Sequence, residues 1–298
     1  MIGAPGPSDS PYSNNNQQFF VTELIQKYTN EHSRFLPVKG TLIHYRKEGR
    51  GPNLLLLHGS FSSLHTFDEW TKILSKKFTV IRLDLPAFGL TGPMPNDQYN
   101  IPTYLRYIDC FLRMLKIEKV SIAGSSLGGW IAWEYALQFP KKVKKLILID
   151  AAGFITDNQL PLPFRMAKTP FLNKVIKFVI RKSLLEDFVR EVYFNKSKVT
   201  QELADRYYDL FTREGNPEAF LKMVNSRYKD NSNHLKDLKV PTLILWGKED
   251  CWIPVANAYR FHEIIPTNDL IIYDLVGHLP MEEIPEDSAL DVTSFLLG

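Results

Sequence analysis

Short apolar runs alternate with amphipathic stretches along most of the chain. The apolar and β-branched runs predict strands at Thr41–Tyr45, Asn53–Leu57, Thr79–Leu83, Val120–Ala123, Lys145–Ile149, Thr242–Trp246 and Leu270–Tyr273. Apolar residues at helical spacing predict helices at Ile101–Leu115, Ser126–Phe139, Val255–Ile265 and Asp287–Leu297. Such alternation is typical of an α/β fold with a mostly parallel sheet and helices on both faces. In that architecture, functional groups are expected on loops at the carboxyl ends of the strands.

About ninety residues separate the strand ending at Ile149 from the strand starting at Thr242, which is too many for a simple connection. This segment predicts a helical lid, with helices at Phe164–Leu185, Phe188–Phe194, Gln201–Arg213 and Pro217–Tyr228. The predicted organisation is an N-terminal lead (1–33), a first part of the core (34–150), the lid (151–238) and a second part of the core (239–298). Met1–Gln18, rich in Gly, Pro, Ser and Asn, is predicted to be disordered.

Composition narrows the function classes. The chain is 44% hydrophobic and 23% charged with a formal net charge of +3, which gives no whole-chain signature of nucleic-acid binding. With only Cys110 and Cys251, neither a disulfide framework nor a multi-cysteine zinc site is expected. The N-terminus lacks the order of a secretory signal, and no apolar run reaches the roughly 18 residues needed to span a bilayer. We therefore expect a cytoplasmic location.

One segment of the predicted lid is basic. Pro161–Thr200 carries nine Lys and Arg against three Asp and Glu, a net charge of +6. This charge allows contact with an anionic membrane surface. Basic residues on the outer face of a lid are more often merely solvated, so a small hydrophobic molecule is the expected partner.

The motif that carries chemistry is Gly124-Ser125-Ser126-Leu127-Gly128, between a predicted strand and the helix that follows. Its G-x-S-x-G pattern predicts a nucleophile elbow, a sharp turn that lifts the hydroxyl of Ser126 out of the sheet. The helix N-terminus behind it favours negative charge, and the Leu127 N–H is the first expected oxyanion donor. A Gly/Ser turn of a dinucleotide fold is the alternative, but G-x-G-x-x-G is absent.

A serine hydroxyl needs a base and an orienting acid. His278 follows the predicted strand Leu270–Tyr273 and is the expected base. Asp250 follows the strand Thr242–Trp246 and is the expected acid, with Glu249 and Asp150 as alternatives. His58 also follows a strand, but it is better interpreted as a structural residue beside the oxyanion loop.

The second oxyanion donor is expected from the loop after an early strand. The Ser60 N–H is the first candidate and the Phe61 N–H the second; the alternative is a simple strand-ending turn. Phe61 and Trp130 are predicted to contact substrate. Because a triad makes its own nucleophile, and because no HExxH, P-loop or paired-cysteine pattern occurs, we predict no metal and no cofactor.

Taken together, these motifs resemble the α/β-hydrolase superfamily, near the lid-bearing group of bacterial esterases and meta-cleavage-product hydrolases. The matching stretches are Leu54–Ser60, Asp84–Gly89, Gly124–Gly129, Leu148–Asp150, Leu245–Asp250 and Gly277–His278. The resemblance covers about Arg34 to Leu297. Haloalkane dehalogenases and epoxide hydrolases of this superfamily have an aspartate where this chain has Ser126, so those activities are disfavoured. Ala87 replaces a glycine common in the D-x-P-G-x-G segment, which leaves the local turn geometry open.

The resemblance implies an α/β-hydrolase fold and a serine hydrolase, with ester cleavage of hydrophobic acyl or aryl substrates as the leading expectation. A lid that excludes water and forms an apolar pocket fits such substrates. The catalytic alternative is hydrolysis of a carbon–carbon bond in a meta-cleavage product, with a lid arginine holding the dienoate; the candidates are Arg165, Arg181, Arg190 and Arg227. The non-enzymatic alternative is a hydrolase-like ligand-binding protein.

Overall fold

A computed structural model describes residues 21–154, 160–169 and 181–298. Its centre is an eight-stranded sheet in the order β1-β2-β4-β3-β5-β6-β7-β8. The strands are β1 (Ser33–Val38), β2 (Thr41–Glu48), β3 (Asn53–Leu57), β4 (Thr79–Leu83), β5 (Val120–Ser125), β6 (Val143–Ile149), β7 (Thr242–Gly247) and β8 (Asn268–Tyr273). Pairs from β4 to β8 are parallel, while β2 pairs antiparallel with both β1 and β4. The prediction of a mostly parallel sheet is confirmed.

Helices cover both faces of this sheet. In chain order they are α1 (residues 21–28), α2 (Asp68–Leu74), α3 (Ile101–Met114), α4 (Leu127–Gln138), α5 (Leu162–Lys168), α6 (Lys182–Val192), α7 (Gln201–Phe211), α8 (Asn216–Val224), α9 (Ala256–Ile264), α10 (Pro280–Glu283) and α11 (Pro285–Leu297). Because both faces are covered, Leu54–Leu57 of β3 is fully buried, as its unbroken apolar run requires. None of the described helices is both long and apolar enough to cross a membrane.

The parallel strands bring distant segments to one edge. β3, β5, β6, β7 and β8 run in the same direction, so the loops that follow them meet at the carboxyl edge of the sheet. The first residue after β5 is Ser126, the loop after β7 carries Asp250, and the loop after β8 carries His278. The fold therefore places these loops together, although more than a hundred residues separate Ser126 from Asp250 and His278.

The segment between β6 and β7, here called the insertion, contains α5 to α8. The prediction of one continuous helix at Phe164–Leu185 is wrong. α5 ends at Lys168, where Thr169 turns to an extended conformation (ψ 118), and α6 begins only after the extended Arg181 (ψ 151). Thr169 precedes Pro170, and the proline ring disfavours helical geometry at the residue before it. Residues 170–180, and Met1–Gln18 with its predicted disorder, lie outside the described residues.

Candidate active site

Ser126 stands in a tight turn between β5 and α4. Its backbone has φ 53 and ψ −116, a sparsely populated conformation for a residue with a side chain. Neighbouring backbone holds the turn, because the Ser126 N–H donates to Ile149 O (3.0 Å) and its carbonyl accepts from Ala152 N (3.0 Å). A Cβ on Gly124 would lie 2.2 Å from Gly128 O. The glycines of the motif are thus required by close backbone approach.

Asp250 and His278 form a buried pair at the same edge. The His278 Nδ1 donates to Asp250 Oδ2 at 2.6 Å, and both residues are buried. The other carboxylate oxygen of Asp250 accepts from the amides of Trp252 (2.8 Å) and Ile253 (3.0 Å). Since the carboxylate only accepts, the proton lies on Nδ1 and the Nε2 of the ring is left to accept from a hydroxyl.

The structure brings Ser126 and His278 together at one cavity, which both residues line. The Ser126 hydroxyl makes no hydrogen bond to the ring among the described residues. Catalytic hydrogen bonds of this kind are often long without substrate and tighten when it binds. The arrangement therefore has the serine, the imidazole and the carboxylate in the order that acyl transfer needs.

Two backbone amides near Ser126 are available to hold an oxyanion. Within the described chain, neither the Ser60 N–H nor the Leu127 N–H donates to another protein group, and Leu127 is the first residue of α4. The Phe61 N–H is also without a partner there, so both predicted alternatives for the second donor are present. Phe61 adopts φ 65, which bends the chain immediately after Ser60.

His58 has the structural role that its position predicts. Its Nδ1 donates to Gly59 O (2.7 Å) and its Nε2 accepts from Leu85 N (2.9 Å), which ties the Ser60 loop to the loop after β4. Complete burial lowers the pKa of His58, so the ring stays neutral and keeps this pair of bonds. The loop that contains the amides of Ser60 and Phe61 is thereby held in place.

Two cavities meet at the nucleophile. The larger cavity and the smaller cavity, the one that His278 lines, are both lined by Ser60, Ser126 and Trp252. Trp130 lines the larger cavity and packs edge-on against Tyr228, with ring centroids 5.2 Å apart. Phe61 lines the smaller one. The two side chains predicted to contact substrate therefore reach the site on different sides.

The comparisons with known proteins agree with this geometry. A family model described as alpha/beta hydrolase fold matches residues 52–285. The chain belongs to the α/β-hydrolase fold family. Its resemblance in sequence motifs is thus confirmed at the level of the family, and the chain is a hydrolase of this type.

Named relatives of this α/β-hydrolase differ in the bond they cleave. It is 27% identical over 243 residues to the 2-hydroxy-6-oxo-2,4-heptadienoate hydrolase of Pseudomonas putida, a match that covers 77% of this chain and 83% of that protein. It is 26% identical over 259 residues to the monoacylglycerol lipase ABHD6 of Homo sapiens, covering 84% and 77%. The meta-cleavage product hydrolase CumD of Pseudomonas fluorescens IP01 superposes with a TM-score of 0.75 at 25% identity, covering 88% and 97%.

The α/β-hydrolase has a second buried carboxylate beside the pair, that of Asp150 at the end of β6. Its Oδ1 accepts from Gly247 N (3.0 Å), while its Oδ2 is buried and makes no hydrogen bond with the described residues. Burial and the nearby charge of Asp250 raise the pKa of Asp150 well above its usual range. The ring of His278 bonds to Asp250 and not to Asp150, and Glu249 is exposed.

These same groups are close enough to suggest a metal site. Ligand atoms of Asp150, Asp250 and His278 lie within 4.8 Å of one another, the one such group among the described residues. The hydrogen bond between His278 and Asp250 accounts for most of this closeness. The absence of a metal or cofactor requirement stays a prediction.

Sequence reasoning missed Glu283, which joins the histidine loop of the α/β-hydrolase to the insertion. Its buried carboxylate accepts from the amides of Gly277 (2.6 Å), Phe194 (3.2 Å) and Asn195 (3.0 Å). In addition, the His278 N–H donates to Val192 O at the end of α6 (2.8 Å). No local pattern marks the link to the insertion, because Phe194 lies 89 residues and Asn195 lies 88 residues from Glu283 along the chain.

Proposed function

We propose that the chain is a serine hydrolase that cleaves carboxylic esters of hydrophobic acyl or aryl substrates through an acyl-enzyme at Ser126. One observation carries this proposal: the strained Ser126 faces an apolar cavity that it shares with the ring of a buried His278–Asp250 pair. A triad of this geometry generates a nucleophile from a neutral hydroxyl at ordinary pH. No other arrangement of nucleophile and base is needed for the reaction.

In the proposed acylation, His278 Nε2 takes the proton of the Ser126 hydroxyl while the oxygen attacks the ester carbonyl carbon. The Leu127 amide, with that of Ser60 or Phe61, stabilises the resulting oxyanion. When the carbon–oxygen bond to the alcohol breaks, His278 passes its proton to the departing oxygen. Water then repeats the sequence: it loses a proton to His278, adds to the acyl carbon and releases Ser126 with the carboxylic acid.

The cavity beside His278 favours ester cleavage over hydrolysis of a carbon–carbon bond. A dienoate leaving group carries a carboxylate, and a buried carboxylate requires a positive partner. Among the residues that the structure describes, no Lys or Arg lines the cavity that contains His278. Of the four arginines considered for that role, Arg165, Arg181 and Arg227 are exposed and Arg190 pairs with Glu186 at 2.8 Å. None of the four lines either cavity.

Fluorophosphonate labelling tests the proposal directly, because the reagent forms an adduct only with an activated serine. We expect labelling of the wild type at Ser126, and none in Ser126→Ala or in the heat-denatured protein. Ser125→Ala is the matched control and is expected to keep its label. An unlabelled wild type, with control hydrolases labelled in the same experiment, would favour the ligand-binding alternative.

A second assay distinguishes hydrolysis of an ester bond from hydrolysis of a carbon–carbon bond. The wild type is given p-nitrophenyl esters and, in parallel, one meta-cleavage substrate of the 2-hydroxy-6-oxo-dienoate class. Ester turnover with little turnover of the dienoate is the expected outcome, and the reverse ratio would contradict the choice of ester. EDTA is expected to leave turnover unchanged because the triad supplies its own nucleophile.

The charges of the insertion do not favour contact with a membrane surface, the alternative role considered for this segment. Part of the described positive charge is paired within the protein, since Lys182 lies 2.6 Å from Asp205 and Arg190 bonds to Glu186. Co-sedimentation with anionic vesicles tests it, and we expect no binding.

A further inference from the structure

The two cavities at Ser126 differ in which catalytic group they contain. The smaller includes His278 and Leu279 among its lining residues, while the larger includes Leu127 and Trp130 but not the histidine. Ser126 and Ser60 line both. An ester bound with its carbonyl between these two residues therefore extends one half into each cavity.

The direction of binding follows from proton transfer. The leaving oxygen must receive its proton from the imidazole, so the alcohol half has to lie next to His278. The acyl half then occupies the other side of the carbonyl, in the cavity that His278 does not line. We propose that the smaller cavity is an alcohol subsite for short uncharged alcohols and that the larger cavity is the acyl subsite, so that the enzyme prefers esters of long or bulky acids with small alcohols.

The wall of the smaller cavity is built by the insertion. Four apolar side chains of α6 face into it, those of Leu185, Phe188, Val189 and Val192. The end of this helix is bonded to the histidine loop, because Val192 O accepts from His278 N and Glu283 bonds both to Gly277 N and to Asn195 N. The wall cannot withdraw to admit a larger alcohol without disturbing the loop that carries the base. The size limit is thus tied to the catalytic geometry.

The lining also restricts the charge of the alcohol. In the described part of the chain, no Asp, Glu, Lys or Arg lines the smaller cavity, and the polar side-chain groups there are hydroxyls, the imidazole of His278 and the indole of Trp252. A cationic or phosphorylated alcohol would lose its hydration there without gaining a partner. The larger cavity is more polar, because Lys168, Asn257 and Tyr228 are among its lining residues.

This inference rests on the proposed ester cleavage and is tested with two series of unactivated esters, followed by acid release at constant pH. In the first series the acid is hexanoate and the alcohol runs from methyl through ethyl and butyl to octyl. In the second the alcohol is methanol and the acid runs from acetate to octanoate. For the wild type we expect kcat/KM to fall about tenfold or more between ethyl and butyl, the discrimination that small changes in an apolar pocket commonly give, and to rise with acyl length.

A pair of variants assigns each cavity. Phe188→Ala widens the smaller cavity and Met223→Ala the larger one, and both remove a half-buried apolar side chain from an insertion helix. Phe188→Ala is expected to raise kcat/KM for the butyl and octyl esters by about tenfold relative to the methyl ester, and to leave the acyl series unchanged. Met223→Ala is expected to shift the acyl optimum to longer acids with the alcohol series unchanged.

Results that contradict the assignment of the two cavities differ from results that contradict the proposed ester cleavage. A flat alcohol series in the wild type, or an effect of Phe188→Ala on the acyl series alone, overturns the assignment while ester cleavage stands. The wild-type series decides the size limit even if a variant fails to fold, which circular dichroism would show. If no ester of either series is hydrolysed and Ser126 is not labelled, the proposed function itself fails.

Discussion

Replacing Ser126 by glycine and by alanine separates backbone strain from chemistry. Both variants lose the nucleophile, so neither is expected to hydrolyse esters. Only glycine adopts the backbone conformation at φ 53 and ψ −116 without strain, because it lacks the Cβ that makes this region unfavourable. Residues held in such regions cost about 1–3 kcal/mol. Against this gain stands the greater flexibility of glycine in the unfolded chain, which costs about 0.4–1 kcal/mol.

Taken at the middle of each range, the two contributions leave Ser126→Gly more stable than Ser126→Ala by about 1.3 kcal/mol. That difference corresponds to roughly 3–5 °C in Tm, at the 2–4 °C per kcal/mol that is typical of domains somewhat smaller than this one. The assay is urea unfolding of both variants followed by circular dichroism, with thermal melting as a second measurement. The hydroxyl itself contributes little, because it makes no hydrogen bond among the described residues.

Ser125 provides the matched control one residue earlier. Its φ is not positive and it lies within β5, so glycine there is expected to be less stable than alanine by about 0.5–1 kcal/mol. The order of the two variants is thus predicted to reverse between neighbouring positions. If Ser126→Gly is no more stable than Ser126→Ala, the backbone of Ser126 does not carry the strain inferred from its dihedral angles.

Three further substitutions test other parts of the site. Gly59→Ala would place a Cβ 2.9 Å from Ser126 Cβ, and the displaced nucleophile is expected to lower kcat by about 100-fold; an unchanged kcat contradicts this. The pKa of Asp150 is raised in the folded state, so its contribution to stability is complete below its unfolded pKa and falls by about 1.4 kcal/mol per pH unit above that until the folded pKa is reached. Asp150→Asn should therefore become more stable relative to the wild type as pH rises above about 4. If the difference in free energy of unfolding between the two proteins, measured with urea, is the same at every pH, this prediction is refuted. Glu283→Gln leaves one accepting oxygen for three amides and is expected to lose about 1–3 kcal/mol of stability together with kcat, whereas the exposed Glu286→Gln should change neither.

The sequence alone predicts the parts of the molecule that depend on local chemistry. The elbow at Ser126 is recognisable because close backbone contacts require glycine on both sides of it. The histidine and the acid are recognisable because each directly follows a strand. The order of the strands along the chain was sufficient to place all three loops at one edge.

Other features depend on contacts that no local pattern encodes. β1 was missed because Arg34 and Pro37 interrupt any clear alternation in a strand at the edge of the sheet. Asp150 and Asp250 both end or follow strands, and only their orientation in space decides which one contacts the ring. Trp252 lines the cavity at Ser126, and Glu283 accepts a hydrogen bond from Phe194. Both contacts join segments that lie far apart along the chain.

The departure at Ala87 illustrates a different kind of limit. This residue stands where related sequences commonly have glycine, and its backbone has φ 84. The turn geometry is therefore retained although the residue that best suits it is absent. Gly89, two residues later, cannot be exchanged in the same way, since a Cβ there would lie 2.2 Å from the carboxyl carbon of Asp84.

The bond between Val192 O and His278 N limits how this protein can be recombined with its relatives. A chimera that receives a foreign insertion would replace one side of that bond and of the Glu283 contacts while keeping the other. The graft would then change substrate preference and misalign the base in a single step. Crossover points placed before residue 192 would keep the native contacts, and specificity could be redesigned in α5 and the first turns of α6 alone.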